Sequence, residues 1–267
     1  MNDSCRIHVL PALLVTKIAA GEVVERPASV VKELLDNAID AGASRIALTI
    51  EEGGKKLIRV TDDGCGMNAR ELELAVAPHA TSKINQEEDL TRIASMGFRG
   101  EALASIASVS KMRIVSRAAG ENEGHALTIS GVDSRTSQAA GCPPGTTIEV
   151  RDLFFNVPAR RKFLRANSTE TGHINEHFAR AALAFPNISF ELTNNQRKTH
   201  NLLATTERRE RIAKFYGREL ADALLIEERD ERGIRVEGRA VVGGAAHGSR
   251  VQRAVLHQDV ERLGRGD

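Results

Sequence analysis

The stretch Leu57-Ile58-Arg59-Val60-Thr61-Asp62-Asp63-Gly64-Cys65-Gly66-Met67-Asn68-Ala69 decides how this chain is read. Successive side chains of a strand point to opposite faces, so Ile58, Val60 and Asp62 share one face. Two of the three are apolar, which turns that face inward and carries Asp62 with it. A carboxylate taken out of water is costly unless donors meet it. The Gly64-Cys65-Gly66 turn follows at once and removes side chains from the place where a donor would approach. An adenine amino group is a fitting donor; an aspartate capping its own turn reads the same way.

Working upstream, Ile46, Leu48 and Ile50 alternate with Ala47 and Thr49 as a second strand. The connection over 51–56 is too short for a parallel crossover, so the two strands pair as an antiparallel hairpin. That weighs against a further reading of Gly64, Gly66 and Ala69 as G-x-G-x-x-A, the fingerprint of an NAD(P)-dependent oxidoreductase, which belongs after the first strand of a βαβ unit. Before the hairpin, Val30, Val31, Leu34, Leu35, Ala38 and Ile39 form the apolar stripe of a helix over 28–41, with Pro27 in its first turn and Gly42 past its end. Glu33 and Asn37, spaced i, i+4, lie on one face beside the stripe. A carboxylate there can activate water, and an amide oxygen one turn on can ligate Mg²⁺. A solvated helix edge also accommodates the pair.

Downstream, the pattern predicts helices over 71–77, 90–96, 100–108 and 169–184, and strands over 111–117, 125–130, 146–151 and 188–192. Hairpins interleaved with helices give an α+β fold: a mixed, mostly antiparallel sheet with helices on one face. A glycine-bracketed turn, Gly97-Phe98-Arg99-Gly100, runs into a helix at Glu101-Ala102-Leu103 and offers free N–H groups to phosphate. Thr81 and Lys83 sit in a polar loop upstream. No Walker sequence occurs.

The 267 residues carry 37 Lys+Arg against 36 Asp+Glu, which excludes a protein that coats nucleic acid by bulk charge. A local basic groove remains open, at Arg160, Arg161, Lys162 and Arg165 or at Arg208, Arg209, Arg211, Lys214 and Arg218; solvated helix faces are the alternative. Aromatic residues make up 3%, few for a reader of single strands by stacking. Three cysteines without a C-x-x-C pair point away from disulfides and cysteine zinc sites. His173-Ile174-Asn175-Glu176-His177 fits H-x-x-E-H, but its surroundings read as an ordinary amphipathic helix. No apolar run is long enough to span a membrane, and cytoplasm is the default.

Taken in order, Glu33 and Asn37, Asp62-x-Gly64-x-Gly66, the 97–103 segment and Gly145-Thr146-Thr147 resemble the GHKL ATPases. Longer strings resemble the MutL mismatch-repair family in particular: IAAGEVVERPASVVKELL over 18–35, HATSK over 79–83, GFRGEALAS over 97–105 and NVPARRKFL over 156–164. The likeness runs from about residue 7 to about 240. It implies a Bergerat-type fold that binds ATP and Mg²⁺. By position Glu33 would be the general base and Asn37 the Mg²⁺ ligand. Asp62 would hold the adenine amine, with Gly66 and Met67 lining the base pocket and Thr147 supporting Asp62. Thr81, Lys83, Gly97, Phe98, Arg99, Gly100, Glu101, Ala102 and Leu103 would form the lid and phosphate cradle. Asp36 and Asp63 replace other polar residues without disturbing the chemistry.

The resemblance further implies an arm over 1–20, an ATP-binding domain over 21–205 and the start of a smaller α/β domain over 206–267. It implies slow ATP hydrolysis driving an ATP-dependent homodimer clamp, a MutS-like mismatch-recognition partner with downstream repair factors, non-specific DNA contact, and a cytoplasmic protein that joins the nucleoid during repair. The segment 241–267 departs from the family. It has no aromatic residue, and no lysine follows Lys214, where the family places a lysine on the γ-phosphate. The tail is expected to be mobile, a truncated or frame-shifted end. The alternative function is a nucleotide-gated matchmaker with little hydrolysis.

Overall fold

The computed structural model describes residues 24–77, 80, 101–131, 134–231 and 234–241, with side chains as far as residue 224. The expected arm over 1–20, the helix over 90–96 and the tail beyond 241 lie outside the described residues.

Helix α1 (Pro27–Asp40) starts on Pro27, whose missing N–H has no intrahelical partner to lose at that position. Its stripe of Val30, Val31, Leu34, Leu35 and Ala38 is buried. Strands β1 (Arg45–Glu51) and β2 (Leu57–Asp62) form the expected antiparallel hairpin, with Leu48 opposite Val60 and Ile46 opposite Asp62. There follow α2 (Ala69–Leu74), α3 (Ala102–Ser108), β3 (Lys111–Arg117), β4 (Gly124–Ser130), β5 (Ser134–Ala140) and β6 (Gly145–Arg151). Next come α4 (Pro158–Phe163), α5 (Asn167–Ala184), β7 (Ser189–Asn194) and β8 (Arg197–Leu202).

Among the described residues these strands form one eight-stranded sheet in the order β5-β4-β3-β6-β2-β1-β7-β8. Every neighbouring pair is antiparallel except β1 with β7. One face of the sheet is apolar, built from Ile46, Leu48, Ile58, Val60, Met112, Ile114, Ile148 and Val150. Helix α1 packs on β2 over this face and α5 packs on α1. Phe178 of α5 meets Phe190 of β7 edge-on, ring centres 5.9 Å apart. The opposite face is polar. There Glu149 binds Arg59 at 2.8 Å and Arg151 at 2.9 Å. This polar face leaves the helices on one side of the sheet, as the resemblance implies.

Beyond the sheet lie α6 (Arg208–Tyr216), α7 (Arg218–Ala223) and a separate two-stranded hairpin, β9 (Leu224–Glu231) with β10 (Ile234–Val241). Arg211 corrects the reading of 208–218 as a basic surface. Its side chain is buried, with Nη1 donating to Ala182 O at 3.1 Å. Nη2 donates to the carbonyl oxygens of Pro186, Ile188 and Leu203 at 2.8, 2.9 and 2.8 Å. The guanidinium also lies over the Phe190 ring. Burial holds its pKa below the ordinary arginine value. A planar, five-donor group suits this post, gathering carbonyls that end α5, open β7 and follow β8. It is a structural rivet and is withdrawn from any DNA surface.

Arg211→Met is therefore expected to destabilise the chain by about 3–5 kcal/mol in urea unfolding, because it strands several carbonyls. Arg218→Ala, at an exposed position, is expected to stay within about 0.5 kcal/mol. Equal midpoints for the two variants would contradict the rivet.

Candidate functional site

Asp62 ends β2 and is 8% exposed. Its Oδ1 accepts the Gly64 N–H at 3.0 Å, so it does cap its own turn. The backbone N–H of Thr146, its register partner on β6, also reaches the carboxylate. Two donors do not saturate a group with about four lone-pair directions. Burial pushes the carboxyl up to about 6 against those two hydrogen bonds, and the neighbouring Asp63 carboxylate adds to the rise. Asp63 itself behaves oppositely. Burial alone would raise it, but Ser44 Oγ at 2.6 Å and the amides of Ser44 and Arg45 at 2.8 Å hold it below the usual carboxylate range. Asp63 thus fastens the α1–β1 connection while Asp62 faces the site.

The glycine turn is a seam between three elements. Cys65 N–H donates to Ala41 O, just past α1, and Ala119 N–H, just past β3, donates to Cys65 O, both at 2.9 Å. A Cβ on Gly64 would sit 2.7 Å from Ala41 O. Gly66 has φ +67°, and its Cβ would fall on the Arg117 carbonyl. Gly66, expected to line the base pocket, therefore has its Cβ position against the backbone at the end of β3. Met67 N–H donates to Ser116 Oγ at 2.8 Å, and the Met67 side chain packs on the edge of the core.

Thr147 requires a correction. Strand parity sends it to the polar face, where its Oγ1 lies 3.1 Å from Thr61 Oγ1. The threonine on the Asp62 face is Thr146, which is buried opposite Asp62. Sequence reasoning also missed Ser116, fully buried on β3. Its Oγ lies 2.9 Å from Thr146 Oγ1 and donates to Gly145 O at 3.0 Å. The alternation Met112, Ile114, Ser116 and the alternation Thr146, Ile148, Val150 already carried both assignments.

On α1, Glu33 and Asn37 are part-exposed, one turn apart beside the buried stripe. Lys32 Nζ lies 3.4 Å from Glu33 Oε1 and 2.8 Å from Asp36 Oδ2. Burial opposes the Lys32 ammonium, but Asp36 and Glu33 outweigh it and raise its pKa. Among the described residues no three His, Cys, Asp or Glu side chains group to hold a metal ion. One amide oxygen is nevertheless a fitting partner for Mg²⁺, which takes few protein ligands when phosphates supply the rest. In the H-x-x-E-H stretch, Glu176 is engaged by Arg180 on the same helix, and burial lowers the His177 pKa.

Glu101, Ala102 and Leu103 open α3, and Leu103 packs on the core. The far end of α3 is clamped, with Asn156 Nδ2 donating to Ser108 O at 2.9 Å and Phe154 N–H to Val109 O at 2.7 Å. Thr81, Lys83, Gly97, Phe98, Arg99 and Gly100 lie outside the described residues. Arg160, Arg161 and Lys162 fill the last turn of α4, a helix with no buried residue. Arg161, Lys162 and Arg165 are exposed and Arg160 is half-buried. This cluster is remote in sequence from the Asp62 turn but follows the Asn156 clamp directly. The oxidoreductase reading fails on topology, since the strand entering the glycines is the second arm of a hairpin.

Asp62 gives a pH prediction. Its folded pKa of about 6 exceeds the unfolded value of about 3.9, so its contribution to stability is full below pH ~4 and is lost as pH rises through 6. Asp62→Asn should abolish that fall. By urea unfolding at pH 7.5 the variant should be more stable than the parent by on the order of 2 kcal/mol. A variant less stable than the parent at every pH would contradict the burial cost.

Comparison with known proteins agrees with this geometry. Residues 25–153 match a family model described as histidine kinase-, DNA gyrase B- and HSP90-like ATPase. The chain is 52% identical over 236 residues to the DNA mismatch repair protein MutL of Syntrophotalea carbinolica, covering 88% of this chain and 38% of that protein. It is 49% identical over 242 residues to MutL of Azotobacter vinelandii, again spanning 38% of the relative. Among solved structures, the Aquifex aeolicus MutL ATPase domain complexed with ADP superimposes with a TM-score of 0.62 at 32% identity, covering 84% of this chain and 80% of that one.

Proposed function

The chain belongs to the MutL family of DNA mismatch repair proteins, as its ATPase region, and on that premise we propose that it binds ATP and hydrolyses it slowly with Mg²⁺. The observation that carries this reading is the buried Asp62, with acceptor capacity to spare at the glycine seam. Asp62 takes the adenine amine. Glu33 removes a proton from the attacking water. Asn37 would hold Mg²⁺, which when bound would neutralise charge on the phosphates. Thr81, Lys83 and the segment from Gly97 to Leu103 are the residues the resemblance assigns to the phosphates, and of these only Glu101, Ala102 and Leu103 are among the described residues. The support for the Glu33 assignment is its accessible place on α1, a helix tied to the Asp62 turn through Ala41.

The chain spans about 38% of the length of the MutL relatives it matches, and the events around hydrolysis are part of the same proposal. ATP closes a homodimer clamp that couples a MutS-like mismatch-recognition protein to downstream repair factors at the nucleoid in the cytoplasm. The nucleotide-binding unit runs over 21–205 and a second domain begins at 206. The sheet order ending at Leu202 and the separate β9–β10 hairpin support that division. DNA is met without base reading, through Arg160, Arg161, Lys162 and Arg165 on phosphates.

Asp62→Ala should weaken ATP binding tenfold or more in calorimetric titration, the loss of a hydrogen bond to a charged acceptor being worth about 1.5–3 kcal/mol. Glu33→Ala should bind ATP as the parent does and lose about 10²–10⁴ in phosphate release. Parent-like turnover in that variant would remove Glu33 from the role of base. For DNA, reversing Arg160, Arg161 and Lys162 to Glu should weaken binding and flatten its salt dependence. Unchanged affinity with an unchanged salt slope would move the footprint elsewhere.

A further inference from the structure

Ser116 sits at the meeting point of the three strand ends that frame Asp62, and it is fully buried. Its Oγ makes three contacts: Met67 N at 2.8 Å, Gly145 O at 3.0 Å and Thr146 Oγ1 at 2.9 Å. A hydroxyl has one proton and two acceptor lone pairs. The Met67 amide occupies one lone pair. The carbonyl of Gly145 can only accept, so it takes the Ser116 proton. The contact with Thr146 is then made only if Thr146 donates into the second lone pair of Ser116. Three protons serve three contacts, and the count closes in this one arrangement.

The consequence lies on Thr146. Its proton is committed inward, so its hydroxyl turns lone pairs alone towards the Asp62 side. Asp62, when ionised, is also an acceptor without a proton to give. Asp62 and Thr146 stand opposite each other in register on the same face of β2 and β6. The pair therefore presents acceptors only. Such a site welcomes an exocyclic amine and repels a carbonyl oxygen. Adenine carries an amine where guanine carries a carbonyl.

We propose that Ser116 is a positioning residue that sets nucleotide-base specificity, by holding the Thr146 hydroxyl as an acceptor beside Asp62. The proposal rests on the reading of Asp62 as the base-binding carboxylate. Ser116 touches no ligand itself, because it has no exposed surface. Without its oxygen, the Thr146 proton is free to turn towards the base and meet a carbonyl.

The test is the ratio of the dissociation constants for GTP and ATP, each titrated calorimetrically at pH 8 with Mg²⁺. The parent is expected to prefer ATP at least about 100-fold, since a site built to hydrogen-bond one group rejects an analogue that lacks it. Ser116→Ala is expected to lower the ratio at least tenfold. Thr146→Val, which removes the hydroxyl, should lower it too, while Thr146→Ser should keep it. A purely structural Ser116 would weaken both nucleotides by the same factor and leave the ratio unchanged, which would overturn the proposal. Should Ser116→Ala fail to fold, the two Thr146 variants decide: a ratio the same in Thr146→Val as in the parent also overturns it. A parent chain that binds neither nucleotide overturns the nucleotide reading and this inference together. A parent that binds ATP and GTP equally overturns this inference alone.

Discussion

The arrangement depends on one buried carboxylate at the end of β2. Asp62 has to be received by backbone donors, and the chain provides them by bending through Gly64 and by running β6 alongside in register. The bend is possible because Gly64 and Gly66 let the backbone lie against Ala41 on one side and Arg117 on the other. Four elements thus converge on one turn: α1 through Ala41, β2 through Asp62, β3 through Ser116 and Ala119, and β6 through Thr146.

This convergence ties the two parts of the proposed site together. The helix that carries Glu33 and Asn37 is followed at once by Ala41, whose carbonyl accepts from the Asp62 turn. Its apolar stripe lies on β2, the strand that carries Asp62. The two halves of the proposed site are consequently joined through one hydrogen bond and one packed face, and share one frame. The frame has a cost. A carboxylate kept from water with only part of its hydrogen-bonding capacity filled destabilises the free protein at neutral pH, and a ligand amine would offset that cost on binding. Arg211 acts in the opposite sense elsewhere, tying α6 to the end of α5, the start of β7 and the residue after β8.

Much of this was legible in the sequence. Helix α1, the β1–β2 hairpin, strands β3, β4 and β6 and helix α5 follow from plain periodicity, because each has one apolar face to bury. Strands β5 and β8 were not legible. Ser134–Ala140 and Arg197–Leu202 lack apolar alternation, since they sit at the two edges of the sheet. Helix α2 starts two residues before the expected point because Asn68 and Glu71 form a capping box, a signal present in the sequence but unused. Two threonines stand side by side at the start of β6, and only strand parity, Thr146 opposite Asp62 and Thr147 opposite Thr61, separates their faces. Arg211 could not be told from its basic neighbours, for burial of a guanidinium depends on carbonyls that only the packing of α5, β7 and β8 brings together.

The central claim is that Asp62 is a buried carboxylate held ready for a donor on an incoming base. The most direct measurement is a carbon-13 NMR titration of the Asp62 side-chain carboxyl, assigned with Asp62→Asn, in the free chain and with a non-hydrolysable ATP analogue. The account predicts a midpoint near about 6 in the free chain and a clear fall when the analogue binds, because the amine favours the ionised form. A midpoint in the ordinary carboxylate range in the free chain, or one that does not move on binding, would contradict it.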